Sequence, residues 1–200
     1  MEMELQIEQQ WLDTSSVTMS DDYASVCHCA KAKDQYVAYC ASVWNHQETL
    51  AGMRVVVDAA NGAAAEVAPA VFAAIGADEF QYISVNPDGF NINQDCGATN
   101  VMALQQRVLQ TDSACGIAFD GDADRLIMVD HQGEVVDGDQ LLCILAFAAK
   151  REGLPGVVGT LMTNLGLEQA LQSAGIPFAR AKVGDRYVLS ECQKLDWFLG

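Results

Sequence analysis

Positive charge is what this 200-residue chain has least of: 11 lysines and arginines stand against 27 aspartates and glutamates, a formal net charge of −16. A surface of that sign repels phosphate backbones and anionic headgroups, which argues against nucleic-acid binding and against membrane association. Long apolar runs are missing as well. None approaches the roughly 20 residues of a membrane-spanning helix, and the acidic start Met1-Glu2-Met3-Glu4 has no apolar stretch of the kind a secretory signal carries. The seven cysteines show no pairing pattern: they are scattered, odd in number, and Cys115 and Cys143 lie inside apolar runs. They are expected to be reduced thiols of a cytoplasmic protein. Cys27-His28-Cys29 is too tightly spaced for a Cys-x₂-Cys zinc knuckle and no second pair follows, so a helix face is its expected home. No short-period repeat is visible. Half of the chain is hydrophobic, enough to bury a core of one domain or two small ones.

What is present is an alternation of strand and helix signals. Residues 1 to about 30 carry little periodicity and are rich in Ser, Thr, Asp and Gln, so they are expected to be poorly ordered. Residues 31–43 give a weak amphipathic helix pattern. A β-branched strand follows at 53–58, then the Asn61-Gly62 loop, an Ala-rich helix over 63–75 stopped by Gly76, and a strand at 80–85. Residues 86–98, dense in Asn, Asp, Gly and Pro, form a long loop of the kind that usually has a task. Thr99 or Asn100 can cap a helix to residue 110. A strand at 115–119 leads into residues 125–130, a turn at 131–133 and a short strand at 134–136, which predicts an antiparallel edge beside a parallel sheet. Asp137 or Asp139 caps a helix over 140–150. A second unit then begins: strand 157–160, helix 165–174, strand 178–181 and a helix from about Tyr187. The expected fold class is α/β, a layered α/β/α mixed sheet with a partial second α/β unit.

The densest chemistry lies in Asp120-Gly121-Asp122-Ala123-Asp124-Arg125, directly after the apolar run that starts at Cys115. Residues two apart in near-extended backbone point the same way, so the three carboxylates can converge on one point. Such charges repel unless a cation sits between them. Hard oxygen ligands suit Mg²⁺, which keeps positions open for water and phosphate oxygens, and Arg125 adds a fork that can hold a phosphate. A helix-loop-helix calcium loop is ruled out: counted from Asp120, the places that need Gly and Glu hold Arg125 and His131. An acidic turn between strands is the plainer alternative, but turns need neither three carboxylates nor an Arg in phase.

With its flanks, from Gly116 to Asp130 and on to the Val136-Asp137-Gly138-Asp139-Gln140 segment, this loop resembles the metal-binding loop of the α-D-phosphohexomutases. The segments 56–62, 91–99, 159–168 and 179–188 are similar to the bacterial phosphoglucosamine mutase branch of that family, so the resemblance runs from about Lys31 to Val188. It implies an isomerase that moves a phosphoryl group on a phosphosugar through a bisphosphate, with Mg²⁺ as cofactor. Asp120, Asp122 and Asp124 would hold the ion, Arg125 would orient substrate phosphate, and Lys182, Asp185 and Arg186 would lie near substrate. Read on their own, the last three also fit a helix-leading loop with surface ion pairs. The resemblance further implies a division into residues 1–37 as the end of a first domain and linker, 38–136 as the domain with the metal loop, and 137–200 as the first half of a third. The family's Thr-Ala-Ser-His-Asn-Pro nucleophile loop is absent, since no serine here is followed by His-Asn, and the expected reading is a fragment. A phosphomannomutase or phosphoglucomutase piece fits less well, because Val183-Gly184-Asp185-Arg186-Tyr187 stands where those enzymes tend to carry Gly-His. A binding module that keeps metal affinity without turnover is the reading from a different class.

Overall fold

The computed structural model describes residues 2–13, 25–27, 29–44 and 50–200. Met1–Ala32 and Lys33–Gly200 form two compact units. In the first, α1 spans Glu2–Leu12. It falls within residues 1–30, to which the sequence alone assigns no element. Glu, Met, Leu and Gln are strong helix formers, and Met3, Ile7 and Trp11 stand at helical spacing along it. Residues 14–24, part of the same stretch, lie outside the described residues. Cys27 and Cys29 are exposed in non-helical backbone ahead of the next helix, so they do not share a helix face; His28 lies outside the described residues.

All of α2 (Ala32–Val43) but its first residue belongs to the second unit, which then builds a five-stranded mixed sheet in the order β2-β1-β3-β4-β5. Strand β1 (Val55–Asp58) pairs in parallel with β2 (Phe80–Ile83) on one side and β3 (Cys115–Phe119) on the other. Antiparallel β4 (Leu126–Asp130) and β5 (Val135–Val136) complete it, as the short connections require. From β1 the chain goes through α3 (Ala64–Ala74) to β2, then through α4 (Met102–Thr111) back across to β3. Successive crossovers to opposite sides of β1 put the two helices on opposite faces. On one face Leu104 and Val108 of α4 pack on Val56, Ala118 and Val129, all fully buried; the leucine and the valines contribute roughly 1.5–3 kcal/mol each on burial. On the other, Ala64, Ala65 and Ala68 of α3 pack on Ala59, with Phe72, Val85 and Phe119 around them. Small residues let α3 lie close to the sheet despite Pro69, which gives up one helix hydrogen bond.

Asp137 caps α5 (Gly138–Lys150) with a reciprocal box: its side chain accepts the Gln140 N–H, and the Gln140 side chain accepts the Asp137 N–H. Asp139, the other expected cap, instead accepts the Asn164 N–H at 2.9 Å and ties α5 to the loop after β6. Strands β6 (Val157–Thr160) and β7 (Phe178–Ala181) form a parallel two-stranded sheet, joined through α6 (Leu165–Ser173) and followed by α7 (Asp185–Leu195). Ala146 of α5 and Leu167, Leu171 and Ile176 pack on Val157. The last helix starts at Asp185, two residues ahead of the expected Tyr187.

Candidate metal centre

The three parallel strands end at the same edge. Asp58, Ile83 and Phe119 are their last residues, so the turns 59–63, 84–98 and 120–125 are neighbours. Strand order reverses between β1 and β3, and in an open α/β sheet the crevice beyond such a reversal is where ligands bind.

The 59–63 turn is the hub. Its Ala59 and Asn61 N–H groups donate to the Ile83 and Ser84 carbonyls, its Ala63 N–H donates to the Gly121 carbonyl at 2.8 Å, and its Ala60 carbonyl accepts the Asn93 N–H. Asn61 Oδ1 accepts the Asn86 N–H. Gly62 has no room for a side chain: a Cβ would lie 2.1 Å from the Gly121 carbonyl oxygen. Gly97, in the 3₁₀ turn Gly97–Thr99, has φ +70°, and a Cβ there would lie 2.6 Å from both the Ala60 Cβ and the Phe119 carbonyl oxygen. Behind the hub sits Asp58, fully buried, accepting the Ala60 N–H with one oxygen and the Gly97 N–H with the other, both at 2.9 Å.

On this frame Asp120, Asp122 and Asp124 offer carboxylate oxygens that all lie within 4.8 Å of one another. Among the described residues this is the one acidic, histidine or cysteine grouping able to hold a metal ion. Asp120 is buried and Asp122 and Asp124 are exposed. The loop turns through Ala123, at φ +61°, so that the third carboxylate comes back toward the first. Arg125 closes it: its backbone N–H donates to Asp120 Oδ1 at 3.1 Å, and its Nε donates to Asp120 Oδ2 at 3.0 Å and Asp124 Oδ1 at 3.3 Å. Burial pushes the Asp120 carboxyl up, but the Arg125 N–H, the hydrogen bond with Asp124 and the Arg125 charge outweigh it and hold the group below the usual carboxylate range. Asp124 is pushed up, first by its hydrogen bond with Asp120 and then by burial. Arg125 is raised, chiefly by its hydrogen bond to Asp124 and the charge of that group. Asn93, Thr99, Asp120 and Arg125 line one cleft with Gly138 at the start of α5.

The structure thus brings together the four loop residues expected from sequence. The other three are gathered elsewhere, at the end of β7 and the start of α7 in the two-stranded unit. Lys182 Nζ lies 5.6 Å and the Arg186 guanidinium 4.8 Å from the centre of the Tyr187 ring, and Arg186 also donates to the Tyr187 hydroxyl. Asp185 Oδ1 accepts the Arg186 N–H. Asp58 was not among the residues expected from sequence to serve the site. Its one signal is a carboxylate closing an apolar strand, which only the partner 39 positions away makes meaningful.

A doubly crossed α/β sheet with a convergent carboxylate loop at its carboxyl edge defines the class of domain. Residues 34–133 match the family model for the α/β/α domain II of phosphoglucomutase/phosphomannomutase, and residues 137–200 match that for its domain III. The chain belongs to this family, the phosphohexomutases. It is 50% identical over 202 aligned positions to the phosphoglucosamine mutase of Coxiella burnetii, covering 100% of this chain and 45% of that protein. It is 49% identical to the phosphoglucosamine mutase of Alcanivorax borkumensis, with the same coverage of 100% and 45%. The chain therefore spans less than half the length of the curated relatives it matches. Among solved structures, a phosphoglucomutase/phosphomannomutase family protein from Burkholderia thailandensis superposes with a TM-score of 0.75 at 22% identity, over 98% of this chain and 42% of that one.

Proposed function

We propose that this chain is the metal-binding portion of a cytoplasmic phosphoglucosamine mutase, an isomerase that interconverts glucosamine 6-phosphate and glucosamine 1-phosphate through a bisphosphate. The observation that carries the reading is the convergence of Asp120, Asp122 and Asp124 within 4.8 Å on a chain half-identical to proteins of that name. Residues 38–136 would form the domain with the metal loop and 137–200 the first half of the next, with 1–37 the end of a preceding one. No helix among the described residues is long and apolar enough to cross a membrane.

The donor set fits a hard divalent cation, since all three groups are carboxylates and no sulfur or imidazole competes within the cluster. Mg²⁺ held by Asp120, Asp122 and Asp124 would supply positive charge beside a phosphoryl group in transit, where such transfer most needs it. Asp120, buried and fixed by the Arg125 N–H, would be the anchored ligand, with Asp122 and Asp124 reaching it from the exposed side. Arg125 would orient a substrate phosphate with the rest of its guanidinium fork. Lys182, Asp185 and Arg186, at the end of β7 and the start of α7, would lie on the substrate side in the whole enzyme.

The test is a chimera. Residues 34–200 replace the corresponding segment of the Coxiella burnetii enzyme, and turnover is followed in a coupled assay with glucosamine 6-phosphate and a bisphosphate activator. The chimera should turn over the amino sugar, Asp122→Asn should remove that activity, and the 200-residue chain alone should have none. A folded chimera that prefers mannose or glucose phosphate would sink the assignment.

A further inference from the structure

Asp58 is the most deeply buried charged side chain among the described residues, and nothing in the phosphoryl-transfer reading uses it. A buried carboxylate is retained at a cost unless hydrogen bonds meet it, and both of its oxygens are met by backbone N–H groups. Those two donors are informative. Ala60 belongs to the hub turn and is held in the left-handed region at φ +55°; its carbonyl accepts from Asn93, which lines the cleft. Gly97 is pressed so closely on the Phe119 carbonyl that a side chain could not fit, and Phe119 precedes the buried ligand candidate Asp120. Asp58 itself pairs in register with Ala118 of β3. One carboxylate therefore draws the two loops flanking the acidic loop onto the strand end from which that loop departs.

We propose that Asp58 is a positioning residue for the cation site, acting on Asp120 through Gly97 and the hub turn and never touching the ion. The inference rests on reading Asp120, Asp122 and Asp124 as divalent-cation ligands. Replacing Asp58 by Asn sets an amide NH₂ against one of the two backbone N–H donors, donor to donor, and so releases either Ala60 or Gly97. Groups that bond a ligand directly typically change metal affinity 10- to 100-fold, and Asp58, one layer further out, is expected at the lower end of that range.

The experiment titrates Mn²⁺ into the 200-residue chain and reads the free-ion signal by electron paramagnetic resonance. The parent, Asp58→Asn, Val56→Ala and Asp122→Asn are compared at a temperature where circular dichroism shows each folded. Val56→Ala opens a cavity in the same strand and serves as the control for lost stability. The expected result is parent binding that Asp122→Asn removes, a loss of about tenfold or more in affinity for Asp58→Asn, and a Val56→Ala affinity like the parent's. If Asp58→Asn binds Mn²⁺ as Val56→Ala does, the positioning role is wrong and the ion site stands. If the parent binds no ion, or Asp122→Asn binds as the parent does, both readings fall. Amide exchange in the parent decides the matter should Asp58→Asn not fold. Coupling is reciprocal, so Mg²⁺ should slow exchange at Gly97 more than at Val129 in β4; equal slowing at the two overturns the proposal.

Discussion

Gly62 and Gly121 meet backbone to backbone: a Cβ on Gly62 would fall 2.1 Å from the Gly121 carbonyl oxygen, and the Ala63 N–H bonds that same oxygen at 2.8 Å. The acidic loop is thus seated directly on the turn after β1. Gly62→Ala has no flexible neighbour to displace, so one of the two loops must move. Overpacking of this kind costs about 1–3 kcal/mol. The urea midpoint should fall accordingly, and Mg²⁺ should recover less stability than in the parent; an unchanged midpoint would show that the turn yields freely.

Mg²⁺ should raise thermal stability with the logarithm of its concentration above Kd, by about 2.7 kcal/mol at a hundredfold excess. Asp122→Asn removes one charge from the cluster and should abolish most of this gain. Asp130→Asn serves as the control, because Asp130 Oδ1 accepts the Gln132 and Glu134 N–H groups in the β4–β5 turn, outside the cluster. Equal responses in both variants would mean that the ion merely screens a chain of net charge −16.

Asp88 gives the acid limb of the stability curve a local origin. Its carboxylate accepts the Phe90 and Asn91 N–H groups at 2.8 and 2.9 Å, and the bond from Phe90, then that from Asn91, lowers its pKa. A carboxyl depressed in the folded state adds stability above its unfolded pKa and loses it as pH falls through the folded value. Below about pH 4 the parent should therefore lose stability more steeply than Asp88→Ala, as read by Tm against pH. Parallel curves would remove Asp88 from the account.

Asp137→Ala deletes the cap of α5 and leaves the Gln140 N–H without its acceptor. A loss of about 0.5–2 kcal/mol is expected, measurable by chemical denaturation. Asp139→Ala should act differently, loosening the Asn164 turn without fraying α5.

Much of this molecule is legible in its sequence because local rules agree with the fold. The apolar runs of β1, β3 and β6 announce buried strands, and the short step from Arg125 to Glu134 announces the antiparallel edge. The acidic loop reads directly because its three ligand candidates are contiguous, and alternation plus one left-handed residue suffices to converge them. Helix α1 escaped because its stripe of Met3, Ile7 and Trp11 is short and the Ser-, Thr- and Asp-rich residues that follow it dilute the pattern over 1–30. Asp58 escaped for another reason. Its partner Gly97 is reached only through a folded sheet, and no period in the sequence links a strand end to a 3₁₀ turn 39 residues on.

Arg125 Nε sits on Asp120 and Asp124 at once. The loop thus carries its own counter-charge, and its shape is maintained by the chain's own cation. On the proposed reading, an incoming metal would not have to fold this site, as zinc folds a finger; it would have to win two carboxylates from a guanidinium. Occupancy would then be a competition between two positive charges at one address. A phosphate that drew the guanidinium outward would hand those carboxylates to the metal, so anion and metal ion should bind as allies.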